Sequence, residues 1–167
     1  VFIPGANDES IDFTKSIISL GSNTANASAP VIKIINEAIG VERAFINTIH
    51  GYSNSNRLAD VTGEGFRQNR AAGENIIPSK TSSSIVIEKA LPFLKNKITS
   101  SSMTVPVPDG SIVDLTIDVK KKTSAEKINK IIEENISSKF ISQRIGITYD
   151  PIVSSDVVGN SLSGLID

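Results

Sequence analysis

Residues 21–30 read Gly-Ser-Asn-Thr-Ala-Asn-Ala-Ser-Ala-Pro, and the apolar-periodic run of residues 31–39 follows them directly. Small hydroxyl and amide side chains before a helical pattern indicate a helix N-terminus, because the first four amides of a helix have no partner within it. Those amides and the positive end of the helix dipole attract anions. The stretch therefore predicts either a simple cap by Ser22 or Asn23 or an anion site, and both readings stay open.

A second informative stretch, residues 44–52, is an apolar, strand-like run that contains His50, the only histidine of the chain. A predicted helix and this strand lie between Asn23 and His50, so the chain can bring a helix N-terminus and a strand end together. A lone histidine at a strand end is usually structural, and a catalytic base is the alternative.

Length and composition set the class of protein. The 167 residues are enough for one domain with a real core, 39% of them are hydrophobic, and the net charge is −1. We see no basic patch that would indicate nucleic acid, no run that would indicate a membrane, and no metal-binding motif. The sequence contains no cysteine, which fits a cytoplasmic protein. Because it opens on Val1, we expect a fragment or a processed chain.

Periodicity predicts the following elements in order. Helices are expected over residues 24–39 and 81–94, a strand over residues 43–52, and a long loop over residues 53–77. Within the first helix, Pro30 either produces a kink or lies in the first turn of the regular helix. Residues 98–119 predict an antiparallel hairpin around Pro108-Asp109-Gly110, with Met103, Val105 and Val107 alternating. Thr123 to Glu126 fits a capping box that opens a third helix, and residues 152–158 and 161–166 read as short strands. The pattern favours an α+β fold with a largely antiparallel sheet and about three helices packed on it.

Several motifs in the right order resemble one family. Residues 22–30 are similar to its signature Ser-Cys-Thr-Thr-Asn-x-x-Ala-Pro, and Thr48-Ile49-His50-Gly51-Tyr52 matches its Thr-x-His-x-Tyr motif. Further matches occur at residues 70–72, 75–78, 105–108 and 113–116. From about Ile17 onward the chain resembles the catalytic domain of the glyceraldehyde-3-phosphate dehydrogenases, of which erythrose-4-phosphate dehydrogenase is a close relative.

The resemblance implies a chemistry and also casts doubt on it. In the family, a cysteine thiolate attacks a sugar-phosphate aldehyde, a histidine acts as base, and hydride passes to NAD or NADP, a step of glycolysis. The cysteine position is Asn23 here, which leaves His50 as a vestigial base. We therefore expect a non-catalytic structural or regulatory module, a pseudoenzyme. The alternative is an active oxidoreductase that needs a separate NAD domain and another nucleophile.

The resemblance also implies two anion pockets for phosphate or sulfate. Ser22, Thr24 and Thr81 match the positions of the pocket for inorganic phosphate. Ser53 matches the substrate-phosphate pocket, but the arginine of that pocket is Thr104 here, which removes its strongest phosphate contact. Arg70 is the remaining candidate cation.

Two whole pieces of the family have no counterpart in the sequence. There is no Gly-x-Gly-x-x-Gly unit, so we expect no cofactor to be bound by this chain alone and NAD to require a separate domain. The family also continues beyond the position of Asp167 with a strand carrying Trp-Tyr-Asp-Asn-Glu and a final helix. Residues 53–77 resemble a loop that crosses a subunit interface. We expect residues 1–167 to form one catalytic-type domain that self-associates or pairs with an NAD-binding domain or a full-length homologue.

Overall fold

A computed structural model describes residues 1–137 and 141–167, which form an α+β fold built on a four-stranded sheet. In chain order the elements are α1 (Asn23–Ile39), β1 (Val41–Gly51), β2 (Ile77–Ser79), α2 (Ser83–Ala90), β3 (Ile98–Val105), β4 (Ser111–Val119), α3 (Ala125–Ile136), β5 (Ile145–Ile147) and β6 (Gly164–Ile166). The sheet order is β2-β3-β1-β4, and β5 pairs with β6 separately. The β1–β4 and β2–β3 pairings are antiparallel and β1–β3 is parallel, which confirms the predicted fold class.

Helix α1 begins where the sequence predicts. Ser22 is its N-cap, with Oγ accepting a hydrogen bond from the Ala25 amide at 3.2 Å, and Gly40 ends it with a φ of 76°. Pro30 lies inside the helix, where it is fully buried and provides no N–H to the preceding turn. The buried face of α1 packs on the sheet and against α2 and α3, and supplies much of the core.

The predicted hairpin over residues 98–119 is wrong. Strands β3 and β4 are not hydrogen-bonded to one another, because β1 lies between them, parallel to β3 and antiparallel to β4. The connection over residues 106–110 crosses the end of β1, where the Tyr52 amide donates to the Val107 carbonyl at 3.0 Å. It therefore spans two strand spacings, about 10 Å, whereas a hairpin turn spans one.

In β3, inward-facing and outward-facing residues alternate as predicted, but the apolar residues are not the ones that face inward. Met103 is on the exposed side, whereas Ser102 and Thr104 are 6% and 1% exposed. Hydroxyl side chains thus occupy the inner side of β3, the side that packs against the helices.

The remaining helices and strands differ from the predictions at their ends. Helix α2 stops before Pro92, which cannot donate in an α-helix, and a 3-10 turn over Pro92–Leu94 follows. The N-cap of α3 is Ser124, one residue later than the predicted Thr123. Residues 152–158 are not a strand, since the Val153 amide donates to Asp156 at 2.8 Å and folds a 3-10 turn there. Strand β6 lies within the predicted residues 161–166, and β5 was not predicted.

The two faces of the four-stranded sheet differ. On one face, Ala44, Ile46 and Thr48 of β1 are at most 5% exposed and face the helices. On the other face, Phe45 is 41% exposed and Ile112 is 55% exposed. Among the described residues, no helix is long and apolar enough to cross a bilayer.

Candidate functional site

The start of α1 is held by its own side chains. The Ser22 hydroxyl caps the Ala25 amide, and Asn23 Oδ1 accepts from the Thr24 amide at 2.8 Å. Asn26 Nδ2 donates to the carbonyls of Leu20 and Ser22, at 2.8 and 2.9 Å. Asn23 is the first residue of the helix and is exposed, whereas Thr24 is buried. The predicted cap is thus present, and two of the amides that an anion would use already have acceptors.

His50 lies next to the last residue of β1, and both of its ring nitrogens are engaged. Nδ1 is 2.9 Å from the Gly51 carbonyl oxygen, and Nε2 is 3.0 Å from Ser102 Oγ. A carbonyl oxygen can only accept, so Nδ1 carries the hydrogen, and Nε2 of the neutral ring accepts from the Ser102 hydroxyl. In this arrangement the nitrogen that a general base would use is aimed at a serine, and no hydrogen bond joins His50 to Asn23 among the described residues.

A row of buried hydroxyl groups continues from His50 into the sheet. In the parallel β1–β3 register, Thr48 lies opposite Ser102 and His50 lies opposite Thr104. Thr104 shares a hydrogen bond with Ser79 at 3.2 Å, while Thr48 Oγ1 is buried without a partner. Thr104, which the resemblance places at the position of the family arginine, is therefore a buried residue in this row.

Ser102 and Thr48 were missed as site residues at the sequence level. In the sequence, the run Ser100-Ser101-Ser102 is the feature that indicates this row, because every second hydroxyl of a strand faces the same side. To recognise that Ser102 lies opposite Thr48, one must know that β3 pairs in parallel with β1. That pairing joins segments that are far apart in sequence, and no local pattern specifies it.

Thr81 lies just before α2 and is half-buried. Its Oγ1 accepts from the Ser83 amide at 3.2 Å and shares a hydrogen bond with the Ser83 hydroxyl at 2.8 Å. The Ser84 amide donates to Ser100 Oγ of β3 at 3.2 Å. The hydroxyl groups at the start of α2 are thus bonded to the helix itself and to the neighbouring strand.

Ser53 and Arg70 belong to the loop between β1 and β2, and both are exposed. Ser53 Oγ is 2.9 Å from Ser55 Oγ, and Arg70 Nε donates to Asp60 Oδ1 at 3.1 Å. Asp60 also accepts from the Ala71 amide at 2.8 Å. The Ala71 amide first, and then Arg70, lower the pKa of Asp60 below its ordinary value. The positive charge of Arg70 is therefore paired within its own loop.

The residues before α2 do not fit a dinucleotide. The turn that leads into α2 reads Ser79-Lys80-Thr81-Ser82, without the glycines that let a backbone approach a pyrophosphate. Within residues 1–137 and 141–167, no group of three or more histidine, cysteine or acidic side chains is placed to hold a metal ion.

Comparison with known proteins gives the family. Residues 22–167 match the family model described as "Glyceraldehyde 3-phosphate dehydrogenase, C-terminal domain". The chain belongs to this family. The resemblance stated from the sequence motifs is thereby confirmed.

Relatives match along nearly the whole chain. Glyceraldehyde-3-phosphate dehydrogenase of Borreliella burgdorferi is 40% identical over 164 residues, covering 98% of this chain and 49% of the relative. Its counterpart in Borrelia hermsii is 39% identical, covering 94% and 60%. Glyceraldehyde-3-phosphate dehydrogenase 2 of Saccharomyces cerevisiae is 35% identical, covering 100% and 50%. The chain thus spans about half the length of most of these relatives.

Proposed function

We propose that this chain is a glyceraldehyde-3-phosphate dehydrogenase-type catalytic domain that does not itself oxidise aldehydes and acts as a non-catalytic structural or regulatory module. The observation that carries the proposal is Asn23, which stands where the family signature has its cysteine, in a chain without any cysteine. A carboxamide is not a nucleophile towards a carbonyl carbon at neutral pH, whereas a thiolate is.

The other candidate catalytic residues support the same conclusion. Ser22 is one residue away, and its oxygen is occupied as the cap of the Ala25 amide. His50 Nε2 accepts from Ser102, so a proton-accepting nitrogen is present but faces a hydroxyl. Loss of the nucleophile from such a pair lowers the rate on the order of a million-fold. Any cofactor chemistry would require an NAD domain outside this chain.

The experiment measures NADH formation. The purified chain is mixed with NAD, inorganic phosphate and glyceraldehyde 3-phosphate, alone and with the separately expressed NAD domain of a relative. We expect no absorbance increase above that of a matched His50→Gln variant. NADH formation that requires His50 would overturn the proposal in favour of an active oxidoreductase with another nucleophile.

We also propose that phosphate or sulfate binds weakly between Ser22, Thr24 and Thr81. Hydroxyl groups at helix starts suit an anion, but the bonds described above must be exchanged for it. We expect phosphate to raise the melting temperature of the chain more than that of a Ser22→Ala, Thr81→Ala double variant. Ser124→Ala, which removes the cap of α3, is the control. Equal phosphate effects in all three proteins would contradict the assignment.

We propose self-association as well, through the sheet face opposite the one that packs against the described helices. In the β-sheet register, Ile49 lies beside both Met103 and Ile112, which forms an apolar row across three strands. Met103 and Ile112 are 36% and 55% exposed. An exposed apolar row of this kind favours contact with another protein surface, and we propose a second copy of the chain. The cytoplasmic location that the absence of cysteine suggests stays a prediction.

A further inference from the structure

The connection between β3 and β4 contains the only Asp-Gly pair of the sequence, Asp109-Gly110. Asp109 is exposed, and its Oδ1 accepts the Gly110 amide at 2.7 Å. The carboxyl group of Asp109 is therefore turned towards the main-chain amide of the next residue. Gly110 has no side chain that would shield this nitrogen.

We propose that Asp109 is a site of spontaneous isomerisation, at which the main chain passes through a cyclic imide to an isoaspartyl linkage. The Gly110 nitrogen gives up its proton and bonds to Cγ of the protonated Asp109 carboxyl. The C–OH bond breaks, and water leaves. Water then adds to one of the two imide carbonyls. Opening at the α-carbonyl routes the main chain through Cβ, and the overall reaction gains and loses no atoms.

Local geometry makes Asp109 the preferred position. Holding reacting atoms in contact lowers the entropic cost of ring closure. Every other internal aspartate precedes a residue whose side chain crowds the attacking nitrogen, and for Asp150 that residue is a proline, whose nitrogen carries no hydrogen. These aspartates are Asp8, Asp12, Asp60, Asp114, Asp118, Asp150 and Asp156.

Isomerisation would affect the end of β1. The Gly51 amide donates to the Gly110 carbonyl at 3.2 Å, and the Tyr52 amide donates to the Val107 carbonyl at 3.0 Å. An additional main-chain carbon at residue 109 lengthens the segment between these two anchors. Both bonds lie next to His50, so the hydrogen bond from Ser102 to His50 is expected to loosen in the isomerised chain.

The test is incubation of the folded chain for several weeks near neutral pH in water enriched in oxygen-18. Peptide mapping with electron-transfer fragmentation then distinguishes aspartyl from isoaspartyl residues. We expect an isoaspartyl linkage and one heavy oxygen at residue 109, and neither at Asp60 or Asp114. Asp109→Glu keeps the charge but requires a larger ring, so this variant should incorporate no heavy oxygen at residue 109.

Two results would contradict the proposal. An unlabelled, normal aspartate at residue 109 would overturn the proposal, as would isomerisation spread evenly over the aspartates. A parallel sample in urea separates the folded turn from the local sequence. If the linkage formed only in urea, the contact between Asp109 and Gly110 in the folded chain would not be its cause.

Discussion

At the scale of single residues, the proposed inability to oxidise aldehydes depends on which residue occupies the first position of α1. Asn23 Oδ1 accepts from the Thr24 amide, so the side chain is used as a local acceptor. A thiol at this position would experience the positive end of the helix dipole, which lowers the pKa of a cysteine. A helix N-terminus that could activate a thiol is thus present, whereas the residue at this position is an asparagine.

Asn23→Cys therefore gives a chain with one thiol, and we expect that thiol to be activated. At neutral pH it should react with iodoacetamide about tenfold faster than the thiol of Ser161→Cys, which is exposed and outside any helix. Adding His50→Gln to Asn23→Cys should leave this rate nearly unchanged, because His50 Nε2 is hydrogen-bonded to Ser102. A thiol at residue 23 that reacts no faster than the one at residue 161 would show that the helix N-terminus does not activate it.

In the loop between β1 and β2, the titratable group is the carboxylate of Asp60, which accepts hydrogen bonds from Arg70 and from the Ala71 amide. Because the pKa of Asp60 is lowered in the folded chain, its contribution to stability is present above the ordinary aspartate pKa, about 3.9, and is lost as pH falls through the folded value. The Ala71 amide resonance should therefore move with a midpoint below 3.9 in an NMR titration. Asp60→Asn should abolish this movement. A midpoint at or above the ordinary aspartate value would contradict the contact.

At the scale of elements, the end of β1 is fixed by the connection that crosses it. A Cβ on Gly51 would lie 2.4 Å from the Val107 carbonyl oxygen, a backbone atom that cannot move without shifting the connection. Gly51 is therefore required by a close approach of two backbone segments.

Gly51→Ala should reduce the free energy of unfolding by about 2–3 kcal/mol, because the connection must move away from β1. Urea denaturation monitored by circular dichroism measures the loss. Gly73→Ala is the matched control, since nothing lies within 4 Å of its added Cβ. If both variants unfolded at the same urea concentration, the close approach at Gly51 would be refuted.

Local sequence predicted the elements whose signals are local. Ser22 and Gly40 mark the ends of α1, and the periodic run between them predicts its buried face. The prediction from local sequence failed for β3 and β4. The position of β1 between these strands is determined by long-range pairing and not by the turn residues around Gly110. The prediction also failed at residues 152–158, where the bond from the Val153 amide to Asp156 outweighs the strand preference of β-branched residues.

The residues of the candidate site were likewise predictable only where their signals are local in sequence. His50 and the cap at Ser22 were identified from motifs in contiguous sequence. Ser102, the partner of His50, was not, since only the β1–β3 register brings the two together. The burial of Thr104 likewise depends on this register and was not predicted.

At the scale of the whole molecule, the open face of the sheet is the principal feature. We expect the chain to run as a dimer or larger assembly in size-exclusion chromatography with light scattering. Ile112→Asp should convert it to a monomer, because a charge would be buried in the apolar row. Ile85→Asp is the control, as Ile85 is 57% exposed and belongs to α2 and not to the sheet. A monomeric starting chain, or equal effects of both variants, would rule out this face as the contact.

The proposed loss of the covalent step can be tested directly on this chain. Incubation with glyceraldehyde 3-phosphate and NAD in the presence of a relative's NAD domain, followed by acid quenching and mass spectrometry, reports any acyl group bound to the polypeptide. We predict an unmodified mass for this chain and an acylated mass for Asn23→Cys. An acyl adduct on the unsubstituted chain, on any residue, would contradict the proposal that Asn23 abolishes the chemistry.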